Sequence, residues 1–391
     1  MRILVTDGMD KSAMAALRAN GHEVVEQFDN PEELGEALRG FDAVVIRSAT
    51  KIRKAQLDIA KDSRLKLIVR GGVGVDNIDV ADAEAMGITV RNTPNASSNA
   101  VAELAIGLMF SCARYISIAG HTMRQGKWEK KAYGKGVELF GKTLGIIGLG
   151  AIGGMVANVA VHLGMNVIGC DPFLSVEGAW NLNHHVNRAA TYDEIFAQAD
   201  YITLHVPSTK DTKNMICAES LAKMKDGVKL INLSRADLVS AADLAEALKA
   251  GKVSRYVTDF PTEEVLELPG TVAIPHLGAS TEESEDNCAV MAARELDDYL
   301  KNGNIKNSVN FPALQMPRSG ASRICALHAN VPAVLTRLTA AISEEGLNIE
   351  NMTSKSKGDN AYTVLDCSSV PSDAALARIS AVEGMFRVRL I

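Results

Sequence analysis

Three kinds of residue in the second half of the chain could bind an anion and move a proton: Arg235, the pair Glu263-Glu264, and His276. Each follows a short apolar run that reads as a β-strand: VKLINLS before Arg235, SRYVTDF before the glutamates, TVAIP before His276. In an open α/β sheet, ligands sit beyond the carboxyl ends of the strands, so these side chains converge on one crevice. Histidine, with a reference pKa of ~6.5, takes a hydroxyl proton at neutral pH. A carboxylate bonded to it would hold the ring and raise that pKa. Arginine binds a substrate carboxylate through two parallel hydrogen bonds and polarises a neighbouring carbonyl. Such a set suits oxidation of a 2-hydroxy acid, provided that a hydride acceptor lies beside it.

The acceptor is indicated by residues 145–172, GIIGLGAIGGMVANVAVHLGMNVIGCDP. An apolar run leads into Gly148, Gly150 and Gly153, then a helix-like run, a second apolar run and Asp171. Gly148 permits the tight turn, Gly150 lets backbone approach a pyrophosphate, and Gly153 lets helix and strand pack closely. The helix N-terminus adds N–H donors. Asp171 can accept from a ribose 2′-hydroxyl, and it repels a 2′-phosphate with no arginine beside it, so the expected cofactor is NAD rather than NADP. Residues 143–170 carry no formal charge, which admits a membrane span. Their punctuation by glycine and asparagine favours a βαβ unit buried on both faces.

The elements that must position these residues alternate along the chain. RILVTD, EVVEQ, FDAVVIRS, LKLIVRGG and GITVRN read as strands with helices between, a flavodoxin-like parallel unit. The stretch SSNAVAELAIGLMFSCARYISIAGHTMRQG reads as one long helix leading into the nucleotide unit. A helix from about Glu282 to Asn302 returns to the first unit. The expected organisation is a discontinuous substrate-binding domain (1–94 and 284–312), a Rossmann domain (95–283), a linker (313–319) and a small domain (320–391). The last has the order βαββαβ, the ferredoxin-like pattern. The fold class is α/β: two parallel-sheet domains plus this small α+β domain.

With 391 residues, 47% hydrophobic and 23% charged, the composition is that of an ordinary globular protein. The net charge of −6 argues against nucleic-acid binding. The chain enters a strand from its first residues, without a signal-like segment, and no membrane association is expected. Six scattered cysteines without CxxC spacing suit free thiols in a reducing cytoplasm, and no metal site is expected. The pair His184-His185 reads as surface loop. Arg47, Lys51 and Arg70 fall near carboxyl ends of first-domain strands, on the side facing the crevice. With Ser97 or Asn95, and with the segment Lys127, Lys130, Lys131, Lys135 around Trp128, they could hold a carboxylate and a phosphate.

Gly148-x-Gly150-x-x-Gly153, Asn232-Leu233-Ser234-Arg235, Thr258-Asp259 and Pro275-His276-Leu277-Gly278-Ala279-Ser280-Thr281 together resemble the D-isomer-specific 2-hydroxyacid dehydrogenases over about residues 1–315. The resemblance implies Arg235, a glutamate and His276 as catalytic set. It implies NAD contacts at Val73, Gly148, Gly150, Ala151, Ile152, Gly153, Asp171, Val206, Pro207, Leu233, Ser234, Asp259 and Gly278. Substrate contacts are expected from Arg47, Lys51, Arg70 and Ser97, with a phosphorylated 2-hydroxy acid as substrate. The family pattern places the glutamate five residues beyond the aspartate, which selects Glu264; aligning the Phe-Pro-Thr-Glu string selects Glu263. Glu264 is the expectation. Ala236-Asp237 replaces the glycines common after the arginine.

The last seventy residues or so resemble an ACT domain, with His328, Asn330 and Asn348 at positions of a serine-binding set and Ala333 where glycine is usual. L-serine regulation and a homodimer or homotetramer are implied. Alternatives are reduction of glyoxylate or hydroxypyruvate by the same chemistry, and an NAD-sensing corepressor-like role, against which the absence of a recruiting tail argues.

Overall fold

The computed structural model describes residues 1–27 and 30–391, which divide into two compact units, Met1–Ser97 with Glu282–Ile391 and Ser98–Thr281. In the first unit, β1 (Arg2–Val5), β2 (Glu23–Glu26), β3 (Ala43–Ile46), β4 (Leu67–Arg70) and β5 (Thr89–Asn92) form a parallel sheet in the order β2-β1-β3-β4-β5. Runs such as ILV and AVVI are apolar at successive positions because both faces are covered. Leu4, Val44, Ile46 and Ile68 enter one core, while Ile3, Val5, Val45 and Val69 enter another.

The second unit holds β6 (Thr143–Ile147), β7 (Asn166–Cys170), β8 (Val186–Arg188), β9 (Tyr201–Leu204), β10 (Val228–Asn232), β11 (Val253–Thr258) and β12 (Thr271–Ala273). They run parallel in the order β12-β11-β10-β9-β6-β7-β8. The strand order reverses between β6 and β9, the switch point at which such sheets bind ligands. The uncharged stretch 143–170 is β6, the helix Ala151–His162 and β7. The short edge strand β8 follows His184-His185, in a stretch read from sequence as loop. Three residues, two of them exposed, give no period to detect.

The long helix expected after Ser98 is two helices, Ser98–Arg114 and Ile116–Arg124, bent by 66°. The break is Tyr115, whose φ of +57° is left-handed backbone that cannot continue a right-handed helix. No single helix among the described residues is long and apolar enough to cross a membrane.

The C-terminal part is β13 (Ser322–Ala329), a helix Val334–Glu344, β14 (Ile349–Lys357), β15 (Asn360–Cys367), a helix Asp373–Ser380 and β16 (Met385–Leu390). Its antiparallel sheet has the order β14-β15-β13-β16. Strand alternation sorts its side chains. Ile324, Ala326, Leu365 and Cys367 face its own helices, and Cys325, Leu327, Tyr362 and Val364 join the core beside β1 and the helix Glu282–Asn302. That junction is also polar. The guanidinium groups of Arg91 and Arg389 both lie over the Tyr299 ring, 4.7 and 4.2 Å from its centre. Arg91 donates to the carbonyls of Glu295 and Asn304, and the Tyr362 hydroxyl donates to that of Gly303.

Residues 313–319, expected as a linker, are not a free tether. Leu314 and Met316 are buried, and Ile305 and Leu314 exchange backbone hydrogen bonds. Proline and lack of period marked the stretch as irregular; irregular backbone is still buried when its polar groups find partners.

Candidate active site

The second unit places the chemistry at the carboxyl ends of its strands. After β6, Gly148 has φ +90°, and a Cβ there would lie 2.4 Å from the His205 carbonyl oxygen. At Gly153 a Cβ would lie 1.9 Å from the Gly148 carbonyl oxygen. Neither site admits a side chain. Gly150 is different: nothing lies within 4 Å of a Cβ there, so the backbone at the start of the helix Ala151–His162 opens onto free space. The N–H groups of Ala151 and Ile152 fall in the first turn, where no intrahelical acceptor exists. This bare helix start with free N–H groups fits a pyrophosphate.

Asp171 ends β7. One carboxylate oxygen accepts from Leu149 N–H at 2.9 Å and the other from Phe173 N–H at 2.8 Å, which fastens the acid to the glycine turn. Beyond β9, His205 shares a 2.9 Å hydrogen bond with Thr203, and burial pushes its pKa down to about 4, so it is a neutral imidazole at pH 7. Val206 is half-buried and Pro207 exposed.

The loop after β10 is pinned by Asn232, which the sequence reading quoted within a motif without giving it a role. Its side-chain oxygen accepts from Ser234 N–H at 3.1 Å, and its amide donates to the Arg235 carbonyl at 2.8 Å. The Ser234 hydroxyl donates to the Leu204 carbonyl at 2.7 Å. The Arg235 guanidinium then lies 5.3 Å from the centre of the Phe260 ring, and the His276 ring lies 4.3 Å from the same ring. The arginine and the histidine therefore both pack on Phe260. Asp237 turns its carboxylate to the Ser208 hydroxyl at 2.6 Å.

Asp259 is the carboxylate whose field His276 and Arg235 share. It is 2% exposed, and burial raises its pKa while His276 and Arg235 oppose the rise. One oxygen accepts from Gly278 N–H at 3.3 Å; the other is buried without a hydrogen-bond partner among the described residues. An orphaned buried acceptor calls for a donor, and a ligand amide can supply one. The His276 N–H donates to the Asp259 carbonyl at 2.9 Å, with His276 held at φ +31°.

Glu263 and Glu264 open the short helix Glu263–Leu266, both exposed, and among the described residues no hydrogen bond joins either to His276. The sequence pattern counts positions along the chain, whereas the helix turns the two carboxylates by about 100° from each other.

In the first unit, Arg47 and Arg70 stand at the carboxyl ends of β3 and β4, and Lys51 is exposed. Gly72 has φ +145°, and a Cβ there would lie 1.6 Å from the Arg70 guanidinium, so only glycine lets that guanidinium rest on the backbone. Val73 is 42% exposed, and its carbonyl accepts from Asn92. Ser97 is buried, its hydroxyl without a partner among the described residues.

Two expectations are corrected. The segment of Lys127, Lys130, Lys131 and Lys135 lies at the amino end of the second unit's sheet. Val137 is bonded to Ala113, and Gly141, which leads into β6, to Gly164. Lys127, Trp128, Lys130, Tyr133 and Arg114 line a cavity of about 550 Å³ there, at the end of the sheet opposite Gly148, Arg235 and His276. In the C-terminal part, His328 is 3% exposed, with one ring nitrogen on Thr363 and the other on the Ala329 carbonyl, both at 2.8 Å. It is a satisfied core histidine, its pKa lowered by burial. Asn330 and Asn348 are exposed. Among the described residues no cluster suits a metal ion.

Comparison with known proteins settles the family. Residues 106–278 match the model of the D-isomer specific 2-hydroxyacid dehydrogenase NAD binding domain. The hydroxypyruvate reductase of Thermotoga maritima is 42% identical over 73% of this chain and 93% of its own length. The chain belongs to the D-isomer specific 2-hydroxyacid dehydrogenases. Within this dehydrogenase family, D-3-phosphoglycerate dehydrogenase 2 of Saccharomyces cerevisiae is 33% identical over 95% of this chain and 82% of its own length. The D-3-phosphoglycerate dehydrogenase of Methanocaldococcus jannaschii is 40% identical over 82% of this chain, and the match spans 61% of that relative. An NAD+-bound 3-phosphoglycerate dehydrogenase structure from Entamoeba histolytica superposes with a TM-score of 0.66 at 33% identity, covering 79% of this chain and 98% of that one.

Proposed function

We propose that this protein oxidises D-3-phosphoglycerate to 3-phosphohydroxypyruvate with NAD+, the first step of L-serine biosynthesis. The observation that carries the chemistry is that Arg235 and His276 both pack on Phe260 and both act on the buried Asp259 carboxylate, at strand ends of the sheet that carries the glycine turn. Bound NAD+ supplies the hydride acceptor. His276 takes the hydroxyl proton, and Arg235 binds the carboxylate and polarises the forming carbonyl. Gly148, Gly150, Gly153 and the helix start hold the pyrophosphate, Asp171 the ribose, and the unpaired oxygen of Asp259 a carboxamide donor. Arg47, Lys51, Arg70 and Ser97 of the first unit are the proposed contacts for the substrate's anionic groups. A cytoplasmic homodimer or homotetramer is part of this reading, supported by the exposed Ile116, Ile118, Trp128 and Phe140 of the second unit.

The substrate assignment draws support from the yeast relative, whose match runs into the C-terminal part. The second reading, a hydroxypyruvate reductase, is favoured by the Thermotoga match over nearly that protein's whole length. Following reduced cofactor with D-3-phosphoglycerate and NAD+ separates them. Turnover of hydroxypyruvate alone moves the assignment to the second.

Asp171 predicts cofactor choice. kcat/KM with NAD+ is expected to exceed that with NADP+ by at least ~10-fold, because a 2′-phosphate meets a fixed carboxylate. An NADP+ preference rejects the role given to Asp171.

Serine regulation is proposed to use Asn330 and Asn348, not His328. Titrating activity with L-serine tests it: inhibition lost in Asn348→Ala supports the site, and a flat response into the millimolar range removes it.

A further inference from the structure

Arg47 is held ready to read an anion, and an internal anion already occupies it. Its backbone N–H donates to an Asp7 carboxylate oxygen at 2.6 Å, and the Thr50 N–H donates to the same oxygen at 3.0 Å. The Asn77 amide ties the carbonyls of Arg47 and Thr50, each at 2.7 Å. The loop beyond β3 is therefore fixed from both sides. The guanidinium meets Glu285 fork to fork: Nη1 donates to Oε2 at 3.0 Å and Nη2 to Oε1. Those two N–H groups are the pair that would bind a carboxylate or phosphate bidentately.

Glu285 lies in the first turn of the helix Glu282–Asn302, and the paired side chains are 38% and 44% exposed. The pair can open into water without disturbing the core. An exposed ion pair of this kind is weak, equivalent to at most about fivefold in an equilibrium. An anion arriving at Arg47 must displace Glu285, and its apparent affinity falls by the fraction of time that Glu285 occupies the fork. Phosphate, with three acceptor oxygens and close to two charges, competes better than a monoanion.

We propose that Glu285 is a displaceable occupant of the Arg47 anion site and tunes selection of phosphorylated over unphosphorylated hydroxy acids. This rests on the reading that Arg47 takes the substrate's phosphate. In Glu285→Gln the KM for D-3-phosphoglycerate is expected to fall ~3–5-fold with kcat within twofold, while the KM for D-glycerate stays unchanged. The fall should vanish in the Arg47→Ala background. An unchanged or raised KM in Glu285→Gln, a fall of equal size for D-glycerate, or a fall that survives Arg47→Ala overturns the proposal. Calorimetric titration with inorganic phosphate reads the same displacement without turnover, with a Kd expected ~3–5-fold lower in Glu285→Gln. A wild-type protein that leaves D-3-phosphoglycerate unreacted rejects the function, whereas an unchanged phosphate Kd rejects the role of Glu285.

Discussion

His276→Ala is expected to lower kcat by on the order of 10²–10⁴-fold, the usual contribution of a positioned general base. The imidazole is oriented by its packing on Phe260, and its backbone is held by the Asp259 carbonyl, so the ring is presented rather than free to wander. NADH binding, followed by cofactor fluorescence, should stay within a few-fold, because the glycine cradle and Asp171 do not depend on this ring. A loss of NADH binding equal to the loss of rate would point to misfolding and remove the assignment. Among the described residues neither glutamate is hydrogen-bonded to His276, so the same kcat assay compares them. A loss of rate confined to Glu264→Gln supports Glu264, and a loss confined to Glu263→Gln reassigns the role to Glu263.

Asp366→Ala is expected to cost ~3–5 kcal/mol of stability, read from the shift of a denaturant midpoint. Arg323 and Asp366 are both fully buried. Arg323 donates to both Asp366 oxygens, at 2.6 and 2.8 Å, and to the carbonyls of Asn302, Met316 and Pro317. Asp366 also accepts from the backbone and hydroxyl of Ser319. One ion pair thus ties β13 and β15 to the irregular stretch before them. Truncating the acid strands a guanidinium in the interior, which costs more than the pair itself contributes. Burial alone would raise the Asp366 pKa. The hydrogen bonds from Arg323 and Ser319 outweigh it and hold the carboxyl below its ordinary range. A depressed carboxyl stabilises the fold above the unfolded pKa of ~3.9 and loses that contribution as pH falls through the folded value. The wild type should therefore lose stability below about pH 4 more steeply than Asp366→Asn. Equal acid sensitivity would show that the pair is not the cause.

How much of this was legible in sequence follows from the range of the interactions. Gly148, Gly153 and Asp171 were readable because a turn, a close helix–strand contact and a strand end are set within a few residues. Parallel strands show as apolar runs because both faces are buried, and strand ends name the crevice residues in order. The packing of Arg235 and His276 on Phe260 needed the loops after β10, β11 and β12 to be brought side by side. Ala333 was seen as a departure from glycine, but only the backbone shows that its φ is +68°.

The chain by itself determined two parallel α/β sheets, a βαββαβ end and a dinucleotide cradle, since alternation and glycine geometry are local. Tertiary structure alone decided three things: that His328 is spent inside the core, that the lysine segment lies at the far end of its sheet, and that Arg47 is taken by Glu285. The last two partners stand 238 positions apart. No local pattern encodes such a pairing, because an exposed arginine and an exposed glutamate read alike whether they meet or not.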